Sequence, residues 1–378
     1  MAESSHIVLL PWLAFGHMLP FLELGKRLAA RGIHVSFIST HKNIKRLPPL
    51  PPDLESHFGF VEIPLPQVEG LQGSSEATID IPVEQVPFLK MAYDGLKPRV
   101  EKLLEEMQPD LVICDFVSFW VPEIAAKHGV LSAYFSVFSA ATLAFGGPPE
   151  ELRTGSQRRQ PEDLMVSPEW FTFPSSVAHR GDRARKIHAS LNAPDESGMS
   201  SGQRMAETIE GCDFVTLRSC KEFEGEYITL LEKLYKKPVL PIVCSGWAPQ
   251  LEILAHPAIG GSLFHAGWGS ILESLYHGHA LLLLPMIADQ GLNARLLVDA
   301  GVAFEVERGA DGVSFSRHEI AKSMKHVMVD PAGELLRQKA QQMKAIVANQ
   351  ELHEGYTSQF LQHFKESTKK KHLFIERC

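Results

Sequence analysis

Residues 6–40 read "HIVLL", a turn, "LPFLELGKRLAARG" and then "IHVSFIST". The outer two are short apolar runs of strand type, while Leu19, Leu22, Leu24 and Leu28 recur roughly at helical spacing and stop at Gly32. Strand, helix and strand within about thirty-five residues make a βαβ unit. Such a unit admits only parallel strands joined by a right-handed crossover, which commits the chain to an α/β fold.

The alternation continues along the chain. "GFVEIPL" (59–65), "DLVICDF" (110–116), "LSAYFSV" (131–137) and "DFVTLRS" (213–219) are further strand candidates, separated by helical stretches such as "LKPRVEKLLEEM". Residues 146–202 are rich in Pro, Gly, Ser and Arg with little periodicity, and read as long loops over the domain edge. A second set follows: "GSLFH" (261–265), "HALLLLP" (279–285) and "GVAFEVE" (301–307), alternating with helical segments that end at Gly or Asp-Pro. The expected architecture is therefore two facing, doubly wound Rossmann-like domains, residues 1–240 and 241–365, with a tail at 366–378 whose basic run 369–372 is solvated. Ligands of such sheets sit outside the carboxyl ends of the strands, so the cleft between the domains is the expected site.

Composition narrows the partners. A chain of 378 residues with 44% hydrophobic and 22% charged residues is long enough for two domains, and its net charge of −8 carries no basic stripe to follow a phosphate backbone. Nucleic acid is excluded in favour of a small molecule. The five cysteines have no CxxC pair and suit reduced thiols in the cytoplasm rather than a disulfide frame. No apolar run is long enough to span a membrane. The first apolar stretch lacks a basic leader and is broken by Pro11, His17 and Pro20, so it reads as strand and helix rather than signal peptide. The seventeen histidines show no zinc spacing, with His277 and His279 read as surface loop, and neither a D-x-D nor a strand-borne G-x-G-x-x-G occurs.

The most informative stretch is "FHAGWGSILESL", where a strand runs through His265-Ala266-Gly267-Trp268-Gly269-Ser270 into a helix. Free N–H groups and the positive dipole end at such a junction favour an anion. Gly267 and Gly269 let the backbone approach it, and His265 and Ser270 can each donate a hydrogen bond. A ligand-free reading is equally open, because Ser270-x-x-Glu273 is also a capping box.

A longer context bears on that choice. From Trp247 to Gln290, "WAPQLEILAHPAIGGSLFHAGWGSILESLYHGHALLLLPMIADQ" resembles in length and order the signature box of plant family 1 UDP-glycosyltransferases. Singly, Trp247 is a core aromatic, Asp289 a helix cap and Gln290 a surface residue; together, at these spacings, they carry the resemblance. It implies a GT-B fold in which Trp247 stacks on uracil with Ala248 and Gln250 beside the nucleoside. Glu273 would bind the ribose hydroxyls, and His265 and Ser270 the diphosphate, while Trp268, Asp289 and Gln290 would meet the sugar. Gly269 departs from the family's usual Asn, leaving a backbone N–H to serve there. The residue types suit these tasks, since a planar base needs an aromatic face and a diol a two-oxygen acceptor.

His17 follows Gly16 at the first strand-to-helix turn. Alone it would be structural; opposite a nucleotide-sugar site, its imidazole has the acid–base range needed to deprotonate a hydroxyl. The resemblance implies that role, with Asp115 steadying the imidazolium as the carboxylate of a hydrolase triad does; a turn-capping Asp115 is the alternative. The implied reaction is an inverting transfer of glucose or rhamnose from a UDP-sugar to an apolar aromatic plant acceptor such as a flavonoid, terpenoid or their glycosides. No metal or bound cofactor is implied. "GLNARLL" and "HAGWGS" look most like the branch that extends an existing sugar.

One join departs from the family. In "KKPVLPIVCSGWAPQ", relatives have between the counterparts of Val243 and Cys244 a linker and the opening elements of the second domain, roughly 80 residues at the size of a few βαβ elements. Their loss would expose sheet edges and apolar faces. The expected second domain is therefore incomplete, and the alternative to an active enzyme is a shortened form that binds without turnover.

Overall fold

The computed structural model describes residues 5–242, 254–309 and 314–375. Seven strands form a first sheet: β1 (His6–Leu10), β2 (His34–Ser39), β3 (Phe58–Glu62), β4 (Leu111–Cys114), β5 (Leu131–Ser136), β6 (Phe214–Leu217) and β7 (Val239–Pro241). Their spatial order is β3-β2-β1-β4-β5-β6-β7 and every pairing is parallel. The three-residue β7 has no counterpart in the sequence reading. It forms the sheet's outer strand, where Pro241 does not interrupt a ladder on its far side.

A sheet of this kind is covered on both faces, and β1 shows how the sequence achieves that. Ile7 and Leu9 belong to one hydrophobic cluster while Val8 and Leu10 belong to the other. Alternate side chains thus feed opposite layers, which is why the strand reads as continuously apolar. The final helix, Gln350–Ile375, buries Phe360 and Phe364 in the first sheet's core, with Phe360 meeting Phe214 at 5.9 Å between ring centroids. The basic run 369–372, expected to be a solvated tail, lies within this helix, and Lys371 donates to the Val130 carbonyl at 2.7 Å.

The second sheet has three described strands, β8 (Gly261–Phe264), β9 (Ala280–Leu283) and β10 (Ala303–Glu305), in the parallel order β10-β9-β8. All four residues of β9 are buried, whereas Leu263 in β8 is 44% exposed. Among the described residues β8 pairs only with β9 and is an outer strand of this sheet. One hydrophobic cluster nevertheless spans both domains, joining Val215 and the helical Ile228 of the first to Leu281 and the helical Trp268, Ile271 and Leu297 of the second. The two layers share a core.

Within 146–202, expected to be loop, helices form at Pro149–Thr154 and Gly181–Asn192. The latter's apolar contacts come from a narrow stripe of Ala184, Ile187 and Leu191 on an otherwise Arg- and Lys-rich surface, too sparse to stand out as periodicity. His279 is not surface loop: it is 2% exposed, with its Nδ1 2.8 Å from the Ser262 hydroxyl.

Glu224, in the helix Lys221–Tyr235, is buried and accepts from the Ala141 N–H at 2.9 Å and from the Ser219 hydroxyl. Burial pushes its carboxyl up to about 7. Because this lies above the unfolded value, its contribution to stability is full below about pH 4.5 and is lost as pH rises through 7. Glu224→Gln cannot ionise. Its unfolding free energy, measured by urea titration, should therefore gain on the wild type between pH 5 and pH 8 by on the order of 3 kcal/mol.

Candidate functional site

The parallel sheets place their functional residues by geometry alone. β1 and β4 are neighbours at the point where strand order reverses, paired through Leu10 and Cys114, so the segments after both strands leave the sheet side by side. That is the switch point at which doubly wound sheets bind ligands. After β4 comes Asp115, fully buried; after β1 comes His17, in the first turn of the helix Phe15–Ala29.

Asp115 is held from three directions. Oδ2 accepts from the Trp12 N–H at 3.0 Å and from His17 Nδ1 at 2.8 Å, and Oδ1 accepts from the Phe116 N–H at 2.8 Å. A carboxylate can only accept, so the proton between them sits on His17 Nδ1 and the Nε2 lone pair is left for other work. The His17 side chain is 14% exposed. Phe116 and Phe138 flank its ring, each 5.6 Å away between centroids.

The second domain faces this pair. β8 ends at Phe264, and the helix Trp268–Tyr276 starts with Gly267 as its N-cap and no side-chain cap. Ser270 is therefore inside the helix rather than capping it, and the capping-box reading fails. Gly267 lets the His265 imidazole sit close to the helix start: a Cβ there would stand 2.7 Å from His265 Nε2. Gly269 leaves room in the same way for Arg218, whose Nη1 lies 3.2 Å from where a Cβ would be.

One hollow of about 260 Å³ collects these groups. His17, Glu23, Phe138 and Arg218 line it from the first domain. His265, Gly267, Gly269, Ser270, Glu273 and Asp289 line it from the second. Burial raises Glu273, with Arg218 opposing, and burial raises Asp289, opposed first by its Asn293 hydrogen bond. Both carboxylates are thus tuned by neighbours in the cleft.

Other anticipated residues are placed differently. Trp268 reaches the hollow only at its edge: the ring is 3% exposed, stacks on Phe223 at 5.6 Å and 8°, and its Nε1 donates to the Arg218 carbonyl at 2.8 Å. Gln290 stands behind the hollow, its Oε1 accepting from the Met286 and Ile287 N–H groups, both at 2.8 Å. Trp247, Ala248 and Gln250 lie outside the described residues, as does the join at 243–244.

Two residues of the site were missed in the sequence reading. Arg218 stands just past β6, at the strand's carboxyl end, and that position alone could have marked it. Asn293 is fully buried and ties three segments together. Its Nδ2 donates to the Ala266 carbonyl at 3.1 Å and to Asp289 Oδ2 at 2.7 Å, while its Oδ1 accepts from the Ser139 hydroxyl across the cleft at 2.8 Å. Ala266 and Ala288 hold left-handed φ values of 65° and 50°, so the turns it braces are strained. Asn293→Ala removes the amide's hydrogen bonds to Ala266, Asp289 and Ser139 from a buried site. It should lower unfolding stability by about 2–4 kcal/mol in chemical denaturation.

Residues 238–343 match the family described as UDP-glucoronosyl and UDP-glucosyl transferase. UDP-glycosyltransferase 91C1 of Arabidopsis thaliana is 34% identical over 444 aligned positions, covering 95% of this chain and 96% of that protein. The alignment is longer than the 378-residue chain, so that relative carries residues this chain lacks. Soyasaponin III rhamnosyltransferase of Glycine max is 29% identical, with 95% of each chain covered. Among solved structures, Glycyrrhiza uralensis UGT73P12 complexed with glycyrrhetinic acid 3-O-monoglucuronide superposes with a TM-score of 0.77 at 17% identity, covering 99% of this chain and 98% of that one.

Proposed function

We propose that this chain, which belongs to the plant UDP-glycosyltransferase family, transfers glucose or rhamnose from a UDP-sugar to a hydroxyl of an apolar plant small molecule, a flavonoid, a terpenoid or one of their glycosides. The observation that carries the reading is the His17–Asp115 hydrogen bond of 2.8 Å opening into the same hollow as His265 and the uncapped helix start. The solved neighbour complexed with glycyrrhetinic acid 3-O-monoglucuronide and the Soyasaponin III rhamnosyltransferase relative support a glycoside acceptor.

In this reading His17 Nε2 takes the proton of the acceptor hydroxyl, whose oxygen bonds to the anomeric carbon. The bond from that carbon to the diphosphate breaks with inversion, and UDP leaves with the electron pair. Asp115 keeps the imidazole in the required tautomer and offsets the charge it gains. The leaving diphosphate is met by His265, Ser270, the N–H groups of Gly267 and Gly269, and the Arg218 guanidinium. Arg218 occupies the space beside Gly269 where the family usually has a side chain. Glu273 takes the ribose diol, and Asp289 the sugar hydroxyls with Gln290 and Trp268 around them; Trp247, Ala248 and Gln250 hold the uridine. No divalent ion is assigned, and EDTA should leave the rate unchanged. Buried free thiols at Cys114, Cys212 and Cys220 suit the cytoplasm.

The second sheet, with three strands among the described residues, favours a second reading, a shortened form that binds UDP and acceptor without turnover. UDP release over a panel of UDP-sugars and flavonol or terpenoid glycosides separates the two: no release above a His17→Ala control would leave only the binding role. For the active enzyme, His17→Ala should reduce kcat by a factor of about 10² to 10⁴ while UDP affinity holds. Glu273→Ala and Arg218→Ala should each weaken UDP binding about tenfold or more by calorimetry, Arg218→Ala with a smaller salt dependence than the wild type. Unchanged UDP affinity in Glu273→Ala would remove the nucleotide assignment.

A further inference from the structure

A second and larger cavity, about 710 Å³, lies beyond the turn that presents Asp289. It shares no lining residue with the transfer hollow. Three separate segments supply its charge: Arg180, Arg183 and Lys186 from the start of the helix Gly181–Asn192, Arg295 from the helix Gln290–Asp299, and Arg308 after β10. Two carboxylates also line it: Glu305 pairs with Arg295, and Glu307 lies 3.2 Å from Lys322. Five cations against two carboxylates leave the lining net positive.

The arginines are gathered rather than dispersed. Arg183 Nη2 donates to the Pro285 carbonyl at 2.8 Å, and Arg308 Nη2 donates to that same oxygen, so two guanidinium groups converge on one acceptor. Gly291 makes this approach possible, since a Cβ there would stand 2.5 Å from Arg183 Nη1. Burial and then the charge of Arg308 lower Arg183 below the usual arginine range, and burial lowers Arg295, with Arg180 adding to the effect. Glu305 and Asp289 oppose the shift at Arg183, and like charges drawn together beside a partly desolvated space favour an anion that bridges them. The remaining wall is apolar: Ile187, Met286, Ile287 and Phe315, with Met286 47% and Ile287 67% exposed.

We propose that this cavity binds an amphipathic organic anion, an apolar ring system bearing a carboxylate, sulfonate, sulfate or phosphate, with Arg183 and Arg308 on the anionic group and Ile187, Met286 and Phe315 against the ring. Its volume suits one small organic molecule. Paired planar guanidinium forks suit a two- or three-oxygen anion better than a single lysine would. Because Pro285, Met286, Ile287 and Ala288 wall the cavity while Asp289 lines the hollow, an occupant there touches the turn that carries Asp289. The site stands whether or not the chain transfers sugar.

The probe is 8-anilino-1-naphthalenesulfonate, titrated by fluorescence into the full chain with saturating UDP. One site is expected, weakened by added salt. Arg183→Gln should weaken it about tenfold, the loss of one charge-assisted hydrogen bond, and Arg180→Gln/Lys186→Gln by a few-fold. The second variant changes only exposed side chains, so its effect is not an unfolding effect. The uncharged N-phenyl-1-naphthylamine should bind all forms alike. Equal affinity of the sulfonate for wild type and both variants, an equal loss for the uncharged amine, or displacement of the sulfonate by UDP would each overturn the proposal. Two acceptor glycosides differing only in a carboxylate against a hydroxymethyl group distinguish the anion's source. A wild-type preference for the carboxylate that vanishes in Arg183→Gln assigns the anion to the acceptor, and a preference unaffected by the substitution assigns it to a separate effector.

Discussion

Parallel pairing is the constraint on which the rest of this molecule depends. When all strands of a sheet run one way, every segment after a strand emerges at one edge, and chemistry scattered through the sequence arrives at one line. Here the segments after β1, β4, β5 and β6 bring His17, Asp115, Phe138 and Arg218 to the first sheet's edge. Those after β8 and β9 bring His265 and Asp289 to the second. Facing the two edges makes the cleft. No long-range recognition between these residues is needed beyond the sheets themselves.

What the edges do not supply is alignment between the lobes, and there the polar contacts matter more than their number. Asn293 bonds the turn after β8, the turn after β9 and the first domain's Ser139, so a single amide couples both second-domain turns to the opposite lobe. Trp268 performs a related task with its ring, stacking on Phe223 and bonding the Arg218 carbonyl. Each is buried, where a hydrogen bond is strengthened and its loss leaves an uncompensated partner. The final helix adds a third tie by burying Phe360 and Phe364 on the first sheet after the chain has left the second.

The second sheet has three described strands against seven in the first, and the exposure of Leu263 shows the cost at its outer strand. The hollow survives because its walls depend on β9 and on the helices that follow β8 and β9, all packed into the shared core, with Phe264 of β8 resting against it. Site geometry and sheet completeness are thus separable here. Binding at the helix start relies on local backbone, whereas rigidity of the whole lobe relies on strands further away.

The sequence by itself determined the alternation of strand and helix, the parallel pairing that follows from it, and the positions of His17, Asp115, His265, Ser270, Glu273 and Asp289 relative to strand ends. These were legible because they depend on local periodicity and on the chemistry of residues next to one another. The helix at 181–192 and the burial of His279 were not, since a sparse apolar stripe and a single buried imidazole leave no periodic trace. Only the tertiary structure turned Trp268 into an interdomain contact, placed Arg218 beside Gly269, tied three segments together through Asn293 and gathered arginines from around 180, 295 and 308 about one cavity. The reason is physical: those arrangements are set by how helices from distant parts of the chain pack across the cleft, and sequence spacing carries no measure of that distance.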